Sequence, residues 1–363
     1  MEGNERLAYE RLAARLDAIP NGFPRTANGV ELKILRKLFS PEEATLAASM
    51  RLNPEVAAEI GARAGMEAAT ALATLRSMAS RGLILARQKG GELRFGLMPW
   101  VVGIYEAQLP RMDRELAELV EVYFHEGALT PGGSAQPPVH RVIPVQEAVP
   151  LGIEVAPYEQ ASAILAQAKS FGVRECICRV QRQLVGKGCH HEIENCLCFH
   201  HTEGAFVHAE DEGIRPINRE EALTLLRAAS EAGLVHTVNN VQDRHSYICN
   251  CCTCSCGLLR GVREYGILQG VARSAFRCRV DQALCTGCGL CVERCPFAAL
   301  SLVGGLCVVD ALHCMGCGQC TLVCPAAALS LEVLVDAAPP PRDRTEWMVR
   351  RAQERGISLR DVM

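Results

Sequence analysis

Cysteine is the reactive residue type that stands out in this sequence, and most of the cysteines lie in short, dense runs. The chain has 20 cysteines among 363 residues, and the stretch YICNCCTCSCG, residues 247–257, places five of them within eight positions. The N-terminal segment MEGNERLAYERLAARLDAIP is charged throughout and lacks the apolar core of a secretory signal, so a disulfide scaffold is not expected. In a reducing cytoplasm, dense cysteine use indicates metal binding or redox chemistry.

The clearest cysteine pattern is a duplicated run near the C-terminus. The segment CTGCGLCVERCPFAALSL (285–302) aligns with CMGCGQCTLVCPAAALSL (314–331) at an offset of 29 residues, with 12 of 18 positions identical. Each copy has the spacing CxxCxxCxxxCP, and such self-similarity marks a repeated structural unit. Three cysteines at three-residue intervals on a tight loop can place thiolates on three corners of an iron–sulfur cube, so the fourth thiolate must come from elsewhere.

This duplicated run resembles the bacterial two-cluster ferredoxins over residues 278–336. In that family the fourth cysteine of each run binds the other cluster. The resemblance therefore implies two 4Fe–4S clusters, the first bound by Cys285, Cys288, Cys291 and Cys324, and the second by Cys295, Cys314, Cys317 and Cys320. A structural zinc site is the alternative, but two four-cysteine runs that each end in proline are more typical of clusters.

Two cysteines of this region, Cys278 and Cys307, lie outside both runs. Cys307 belongs to the apolar segment LCVVD and is expected to be a small buried residue. The residues between the copies, ALSLVGGLCVVD, predict a short hairpin that turns at Gly304 and Gly305.

The ten remaining cysteines form two blocks in the middle of the chain. The first block contains Cys176, Cys178, Cys189, Cys196 and Cys198, and the second contains Cys249, Cys251, Cys252, Cys254 and Cys256. In a helix, Cys249, Cys252 and Cys256 would share one face. In an extended chain, Cys249 and Cys251 would face one way and the other three the opposite way. In both cases the five thiols cannot share one centre, so at least one partner must come from the first block.

We expect one or two further iron–sulfur clusters in this middle region. Zinc is the alternative metal, because His190, His191, His200 and His201 supply nitrogen donors beside the cysteines. Arg179 either offsets the negative charge of a cluster or is a solvated surface residue. The predicted metal ligands are Cys176, Cys178, Cys189, Cys196, Cys249, Cys251, Cys252 and Cys256.

Residues 171–260 also resemble the middle region of multi-cluster ferredoxin-like proteins of anaerobic bacteria. The resemblance rests on a CICR block, a GC…E.C continuation and an ICNCC block ahead of the ferredoxin module. It implies cluster binding and redox work. Here Thr253 and Ser255 interrupt the cysteine run that follows ICNCC in that group.

The elements around these cysteines follow from capping and periodicity. NREEALTLLRAASEAGLVH predicts an amphipathic helix with Asn218 as N-cap and Gly233 at its end. Near the N-terminus, SPEEA is a capping box at Ser40, two helices meet at Gly65, and a hairpin turns at residues 90–91. Helix, turn, helix and hairpin resemble a winged-helix domain over residues 28–98.

Charge does not favour DNA binding by this N-terminal region. Residues 1–126 contain 16 Lys and Arg against 17 Asp and Glu, whereas a DNA reader usually presents a basic face. A protein-docking or structural role is the preferred interpretation. The following segment, MPWVVGIYEAQLPRMDRELAELVEVYFHEG, predicts one long helix, with Trp100, Val101, Ile104 and Tyr105 as an apolar patch that packs in the core or against another subunit.

These patterns predict an α+β protein with a winged-helix-like N-terminal domain, a cysteine-rich middle α/β region and a C-terminal ferredoxin-like βαβ repeat. The expected segments are a helical domain at 1–126, a linker at 127–138, a redox or metal domain at 139–277, the ferredoxin domain at 278–336 and a tail helix at 337–363. The longest apolar run, residues 96–105, is about half of the roughly 20 residues that a membrane span needs, so a cytoplasmic protein is expected.

The function expected from the sequence is single-electron transfer. The chain shows no Walker loop, no dinucleotide-binding glycine pattern and no hydrolytic triad. We therefore expect two low-potential clusters that exchange electrons with a redox partner protein or a middle-region centre. The alternatives are a reductase whose cysteine-rich middle domain is catalytic, and a redox-sensing winged-helix regulator. Residues 279–336 carry 2 Arg against 5 acidic residues, so a mildly basic partner face is expected.

Overall fold

The structure is a computed structural model that describes residues 2–128, 135–149, 155–207, 209 and 213–363. The protein is 41% helical and 18% strand, which confirms a mixed α+β class. The chain divides into two compact units, Met1–Ala135 with Met348–Met363, and Gln136–Trp347. The five segment boundaries predicted above stay predictions, and residues 129–134 of the expected linker lie outside the described residues.

The first unit combines helices with a small antiparallel sheet. Its elements are α1 (Glu2–Asp17), α2 (Val30–Leu38), α3 (Pro41–Ala48), β1 (Glu55–Val56), α4 (Ala57–Ala64), α5 (Ala68–Ser80), β2 (Leu85–Lys89), β3 (Glu92–Gly96), α6 (Tyr105–Ala107) and α7 (Arg114–Tyr123). The sheet order is β1–β3–β2. The capping box is confirmed, because Ser40 Oγ accepts from Glu43 N and the Glu43 carboxylate accepts from Ser40 N. The winged-helix interpretation of this arrangement stays a prediction.

The single long helix expected after residue 96 is wrong. Val101, Val102 and Gly103 have non-helical backbone angles, and a short 3-10 turn with Pro110 separates α6 from α7. Proline cannot donate an intrahelical hydrogen bond, and the Asp113 carboxylate instead caps a new helix by accepting from Leu116 N at 2.8 Å.

The apolar patch on this segment is part of the core. Trp100, Ile104 and Tyr105 are at most 2% exposed. The Trp100 ring lies 5.6 Å from Phe23 and 5.7 Å from Tyr105, as ring centroids. The core-packing interpretation is therefore confirmed for these three side chains.

The second unit is built on a six-stranded antiparallel sheet. The sheet order is β4–β8–β9–β6–β5–β7. The elements up to the ferredoxin region are β4 (His140–Val142), α8 (Ala161–Ala166), β5 (Ser170–Glu175), α9 (Ile177–Leu184), β6 (Glu194–His200), β7 (Ile214–Ile217), α10 (Arg219–Glu231), β8 (Val235–Asn239), β9 (Tyr247–Cys251) and α11 (Gly257–Tyr265). The predicted helix α10 is confirmed, with Asn218 Oδ1 accepting from Glu221 N at 2.9 Å.

The two faces of this sheet have different roles. Leu197 and Ile248 are paired across β6 and β9, and both belong to an apolar core that α8 and α10 complete. Successive strand residues point to opposite faces. Cys196 and Cys249, the next residues in the same register, therefore face the other side, where α9 and α11 begin.

The ferredoxin region adds two antiparallel strand pairs. Its elements are β10 (Phe276–Val280), α12 (Leu290–Arg294), β11 (Leu300–Val303), β12 (Leu306–Val309) and β13 (Leu329–Val333), followed by α13 (Arg344–Glu354). β10 pairs with β13 and β11 pairs with β12. The predicted hairpin is confirmed, since Gly304 and Gly305 connect β11 to β12 with positive φ angles. Within the described residues, no helix is both long and apolar enough to cross a membrane.

Candidate metal centres

Two cavities in the ferredoxin region are each surrounded by cysteines of both copies. The first is lined by Cys285, Cys288, Cys291 and Cys324, the four residues that the resemblance assigns to the first cluster, together with Cys307. The second is lined by Cys295, Cys314, Cys317 and Cys320, the four residues assigned to the second cluster, together with Cys278. Four thiols around one cavity is the donor set that a 4Fe–4S cluster requires, so these residues fit the group.

Glycine lets the backbone approach closely beside each cavity. A Cβ atom at Gly287 would lie 2.0 Å from the Gly305 carbonyl oxygen, and one at Gly316 would lie 2.2 Å from the Phe276 carbonyl oxygen. Both residues have φ near +67°, a conformation that residues with a side chain rarely adopt. No larger residue fits at either position without moving the backbone that lines the cavity.

Replacing Gly316 with alanine is expected to destabilise the second unit by about 2–3 kcal/mol, from left-handed strain and the backbone clash together. The variant should also retain less iron. Gly304→Ala is the matched control, because Gly304 has a similar φ of +60° but nothing within 4 Å of the added Cβ; it should cost only about 1 kcal/mol. Anaerobic thermal unfolding and iron content measure both effects. Equal losses in the two variants would show that close approach at Gly316 is unimportant.

A fifth cysteine stands beside each set of four, and the sequence interpretation missed this role. The Cys307 Sγ lies 3.5 Å from the Cys291 Sγ, and the Cys307 N–H donates to the Cys285 Sγ at 3.4 Å. In the second copy, the Cys278 Sγ lies 3.6 Å from the Cys320 Sγ, and the Cys278 N–H donates to the Cys314 Sγ at 3.5 Å. The signal was present in the repeat, because each of these cysteines precedes the first cysteine of a run by seven residues.

Removing the Cys307 thiol is expected to lower the reduction potential of the first cluster. Burial and the Cys291 contact raise the pKa of Cys307, so the Cys307 thiol keeps its proton and would donate to Cys291 once that sulfur is a deprotonated cluster ligand. Such a hydrogen bond stabilises the more negative, reduced state. A loss of about 1 kcal/mol corresponds to roughly 40 mV for one electron. Cys307→Ala should therefore shift the midpoint downward in a potentiometric titration followed by electron paramagnetic resonance. Val308→Ala, at the neighbouring exposed position, should leave it unchanged; an equal shift in both variants would contradict the assignment.

In the middle region, six cysteines form one group, which we call the six-thiol group. Their side chains interact in a closed ring in which each thiol contacts two neighbours. Four elements supply them: the start of α9, strand β6, strand β9 and the start of α11. In ring order the members are Cys176, Cys178, Cys256, Cys251, Cys249 and Cys196.

The local geometry explains how the second block contributes to this ring. Residues 247–251 are extended, so the extended alternative is correct there, and Cys249 and Cys251 share a face of β9. The chain then turns at residues 253–255, and Cys256 becomes the N-cap of α11. The turn returns Cys256 to the side of Cys249 and Cys251, which a continuous strand would not do.

Contacts between the thiols of the ring lower the pKa of some members and raise the pKa of others. Hydrogen bonds from Cys178 and Cys196 hold the pKa of Cys176 well below its usual value, and those from Cys249 and Cys256 lower the pKa of Cys251 to about 7. The same contacts raise the pKa values of Cys178, Cys196 and Cys249. Neighbouring thiols therefore do not ionise together by themselves, and full ionisation of the ring needs a bound cationic centre.

A second group, which we call the three-thiol group, comprises Cys189, Cys252 and Cys254. Their sulfur atoms all lie within 4.8 Å of one another, with 3.9 Å between Cys189 and Cys252. Ser255 Oγ is 3.4 Å from the Cys189 sulfur. Two members, Cys189 and Cys252, belong to the predicted ligand set, and Cys254 does not. The extended alternative put Cys252, Cys254 and Cys256 on one face, but the turn at residues 253–255 separates Cys256 from the other two, so no local pattern singled out Cys254.

Arg179 lies against both thiol groups. Only 1% of it is exposed, so the surface alternative is wrong. Its guanidinium donates to the Glu192 carbonyl at 2.8 Å, to Asn195 Oδ1 at 2.6 Å and to the Asn250 carbonyl at 2.7 Å. Burial disfavours its charged form, but thiolate charge at Cys176 and Cys252 outweighs burial and raises its pKa.

The histidines of the zinc alternative do not all approach the thiols. His200 Nδ1 is 2.7 Å from Thr202 Oγ1, and His201 Nδ1 is 3.1 Å from the Gln167 carbonyl oxygen. The His190 and His191 ring centroids lie 4.4 Å apart. Burial lowers the pKa of His191, and the nearby charge of Cys252 partly opposes this shift. Only the His190–His191 pair is thus shown near the three-thiol group, among the residues that the structure describes.

One apolar core connects the six-thiol group with the second ferredoxin cavity. Cys251 and Cys256 of the ring lie in the same buried cluster as Cys317, with Phe297 and Met315. Polar contacts join the same two parts of the chain: Arg294 donates to the carbonyls of Ser230 and Glu231 at 2.7 and 2.8 Å, and Gln319 donates to the Leu234 carbonyl at 2.6 Å.

The two ferredoxin cavities differ in access to solvent. Cys288, beside the first cavity, is exposed. Cys314, Cys317 and Cys320, beside the second, are 7–9% exposed. Cys295, the fourth cysteine of the second cavity, is half-buried. Cys288 is thus the one exposed residue among the eight cysteines, and the first cavity has the more direct route to the protein surface.

Comparison with known protein families supports the assignment of the ferredoxin region. The 4Fe-4S binding domain family matches residues 279–301 and 307–330. These two matches support a C-terminal ferredoxin-like 4Fe–4S module and an iron–sulfur electron-transfer role in general. Neither the curated proteins nor the solved structures give a match.

Proposed function

We propose that this protein transfers single electrons between a redox partner, which docks at the exposed first ferredoxin site, and a further iron–sulfur centre in the six-thiol group. The ligands we propose for the first 4Fe–4S cluster are Cys285, Cys288, Cys291 and Cys324, and for the second Cys295, Cys314, Cys317 and Cys320. The clusters would supply one-electron transfer at low potential.

The observation that carries this proposal is the shared apolar core. Cys317 of the second cavity and Cys251 and Cys256 of the six-thiol group belong to one buried cluster. The side chains between them exclude water, and a dry surrounding is one of the means by which a protein tunes the potential of a centre. Arg294 and Gln319 hold this arrangement by bonding the carbonyls at the end of α10 and before β8.

The surface around Cys288, at the first ferredoxin cavity, has the character of a transient docking face. Cys288 is exposed, and the apolar side chains Leu284, Leu290 and Leu302 beside it are 43–50% exposed. The surrounding region is acidic, with 2 Arg against 5 acidic residues at 279–336. A redox protein with a mildly basic face around its own centre is the complementary partner. For residues 1–126, whose charges nearly balance, we propose a docking or structural role.

The six-thiol group supplies more thiols than one cube needs, because a 4Fe–4S cluster takes four. Two helices begin at this group, with Cys176 and Cys256 as their N-caps. The partial positive charge of a helix N-terminus stabilises thiolate. Together with Arg179, these N-termini offset the negative charge of a thiolate-bound cluster.

The test is an iron and acid-labile sulfide count on full-length protein prepared without oxygen, with electron paramagnetic resonance of the reduced form. About twelve irons per chain are expected, four for each cluster. Cys251→Ser should remove about four of them and leave the two ferredoxin signals. Cys198→Ser, at a half-buried cysteine outside the ring, should remove none. About eight irons in the unaltered protein, unaffected by Cys251→Ser, would overturn the middle-region centre, and absence of iron would overturn the function as a whole.

A further inference from the structure

The three-thiol group differs from the other cysteine sets in how closely its sulfurs gather. It is the one set of three His, Cys, Asp or Glu side chains, among the residues that the structure describes, whose ligand atoms all lie within 4.8 Å of one another. The ferredoxin cysteines instead line two cavities. A cube holds each thiolate at a separate iron, whereas a single ion draws all its ligands to one point.

The observed spacing matches a single tetrahedral ion. With zinc–sulfur bonds of about 2.3 Å, two thiolates on one tetrahedral zinc ion stand about 3.8 Å apart. The Cys189 and Cys252 sulfurs are 3.9 Å apart. The third sulfur, that of Cys254, is within 4.8 Å of both. A small inward rotation of this half-buried side chain would complete the three-sulfur face.

The group is also separate from the six-thiol group. Cys252 directly follows Cys251 in the chain, but the two lie in different buried clusters: Cys251 packs with Leu259 and Met315, and Cys252 packs with Ala229 and Leu234. Successive residues of an extended chain point apart. An ion held by Cys252 is therefore on the opposite side of this strand end from the ring.

The surroundings balance the charge of such a site. Three thiolates and one divalent cation carry a net charge of −1. The buried guanidinium of Arg179 interacts with Cys252, and the His190–His191 pair lies beside the group. Cys189 and Cys254 are half-buried, so an ion can enter from solvent. Soft thiolate ligands select zinc over harder divalent ions such as magnesium or calcium.

We propose that Cys189, Cys252 and Cys254 bind one zinc ion, as a three-thiolate site distinct from the iron–sulfur centres. Three protein ligands leave one tetrahedral position for a group outside this triad, an arrangement also used by zinc sites that bind water or substrate. This inference stands on the sulfur geometry and does not depend on the electron-transfer function.

The test measures zinc, copper and iron together on full-length protein prepared without oxygen in the presence of zinc. About one zinc per chain is expected. Cys254→Ser should reduce zinc at least about fivefold and leave iron unchanged, because Cys254 is outside the six-thiol group. Cys198→Ser is the matched control, since Cys198 is also half-buried and lies on β6; it should retain both metals.

Cobalt replacement gives a second readout, whose main measurement uses the unaltered protein. Mild chelation of the unaltered protein followed by Co²⁺ should produce intense thiolate-to-cobalt absorption that saturates at about one equivalent, as expected for one tetrahedral thiolate site. The bands should be absent from Cys254→Ser. Copper instead of zinc in the unaltered protein would overturn the proposal. A loss of iron in Cys254→Ser, or full retention of zinc in that variant, would also overturn it.

Discussion

Replacing Arg179 with glutamine is expected to lower the stability of the second unit by about 3–5 kcal/mol, because removal of one member of a buried charged set leaves the others unpaired. Arg179 is 1% exposed and fills three acceptors from two strands and the loop before β6, at 2.6–2.8 Å. Glutamine is shorter and neutral. It can neither reach all three oxygens nor offset thiolate charge at Cys176 and Cys252.

The measurement is anaerobic thermal unfolding with a parallel metal count. A loss of this size lowers the unfolding midpoint by roughly 10 °C in a unit of this size. Arg179→Lys separates charge from geometry, since lysine keeps the charge but lacks the planar fork. Its unfolding midpoint should lie between those of the unaltered protein and Arg179→Gln. Arg227→Gln, at an exposed position on α10, should change little. A midpoint shift below about 2 °C for Arg179→Gln would contradict the proposed role.

Combining ligand substitutions in the ferredoxin module is expected to show that each cluster is bound by both copies. Cys324→Ser alone should remove about four irons per chain, the content of one cube. Adding Cys288→Ser should remove no more, because both residues line the first cavity. The Cys324→Ser, Cys317→Ser double variant should instead lose about eight irons in total, because Cys317 lines the second cavity.

This comparison distinguishes crossed from uncrossed ligation. Cys317 and Cys324 belong to the same run of the sequence, so uncrossed ligation predicts that their double variant loses only about four irons. Substitutions at one site are non-additive, whereas those at independent sites add. A Cys307→Ser and Cys278→Ser pair controls for loss of a thiol at the cavity edge, and it should retain both clusters. Iron and labile sulfide per chain, with the reduced-state resonance spectrum, provide the readout.

Local features were predicted well where a few neighbouring residues determine them. The Ser40 capping box, the α10 N-cap at Asn218 and the hairpin at Gly304 and Gly305 all depend on contacts within a few positions. The duplicated run groups the first three cysteines of each copy by local spacing, but the assignment of each fourth cysteine to the other copy came from the family resemblance and stays a proposal. The long helix after residue 96 failed because Pro110 and the Asp113 cap outweighed apolar periodicity.

The grouping of the middle cysteines depends on contacts that no local pattern contains. Cys176, Cys196, Cys249 and Cys256 come from four elements, and only the β5–β6–β9 strand order brings them together. The burial of Arg179 follows from the same arrangement. Spacing alone predicted metal-binding thiols in both blocks, but it could not separate Cys189 and Cys252 from the six that form the ring.

The exchange of cysteines between the ferredoxin cavities has a consequence for the ancestry of the module. Each cavity is closed by a residue from the opposite half, Cys324 for one and Cys295 for the other. A peptide with one half alone would surround its cavity with three motif cysteines. An ancestor of that length would have needed a twin molecule to complete its site, so the present module can be understood as a fused homodimer.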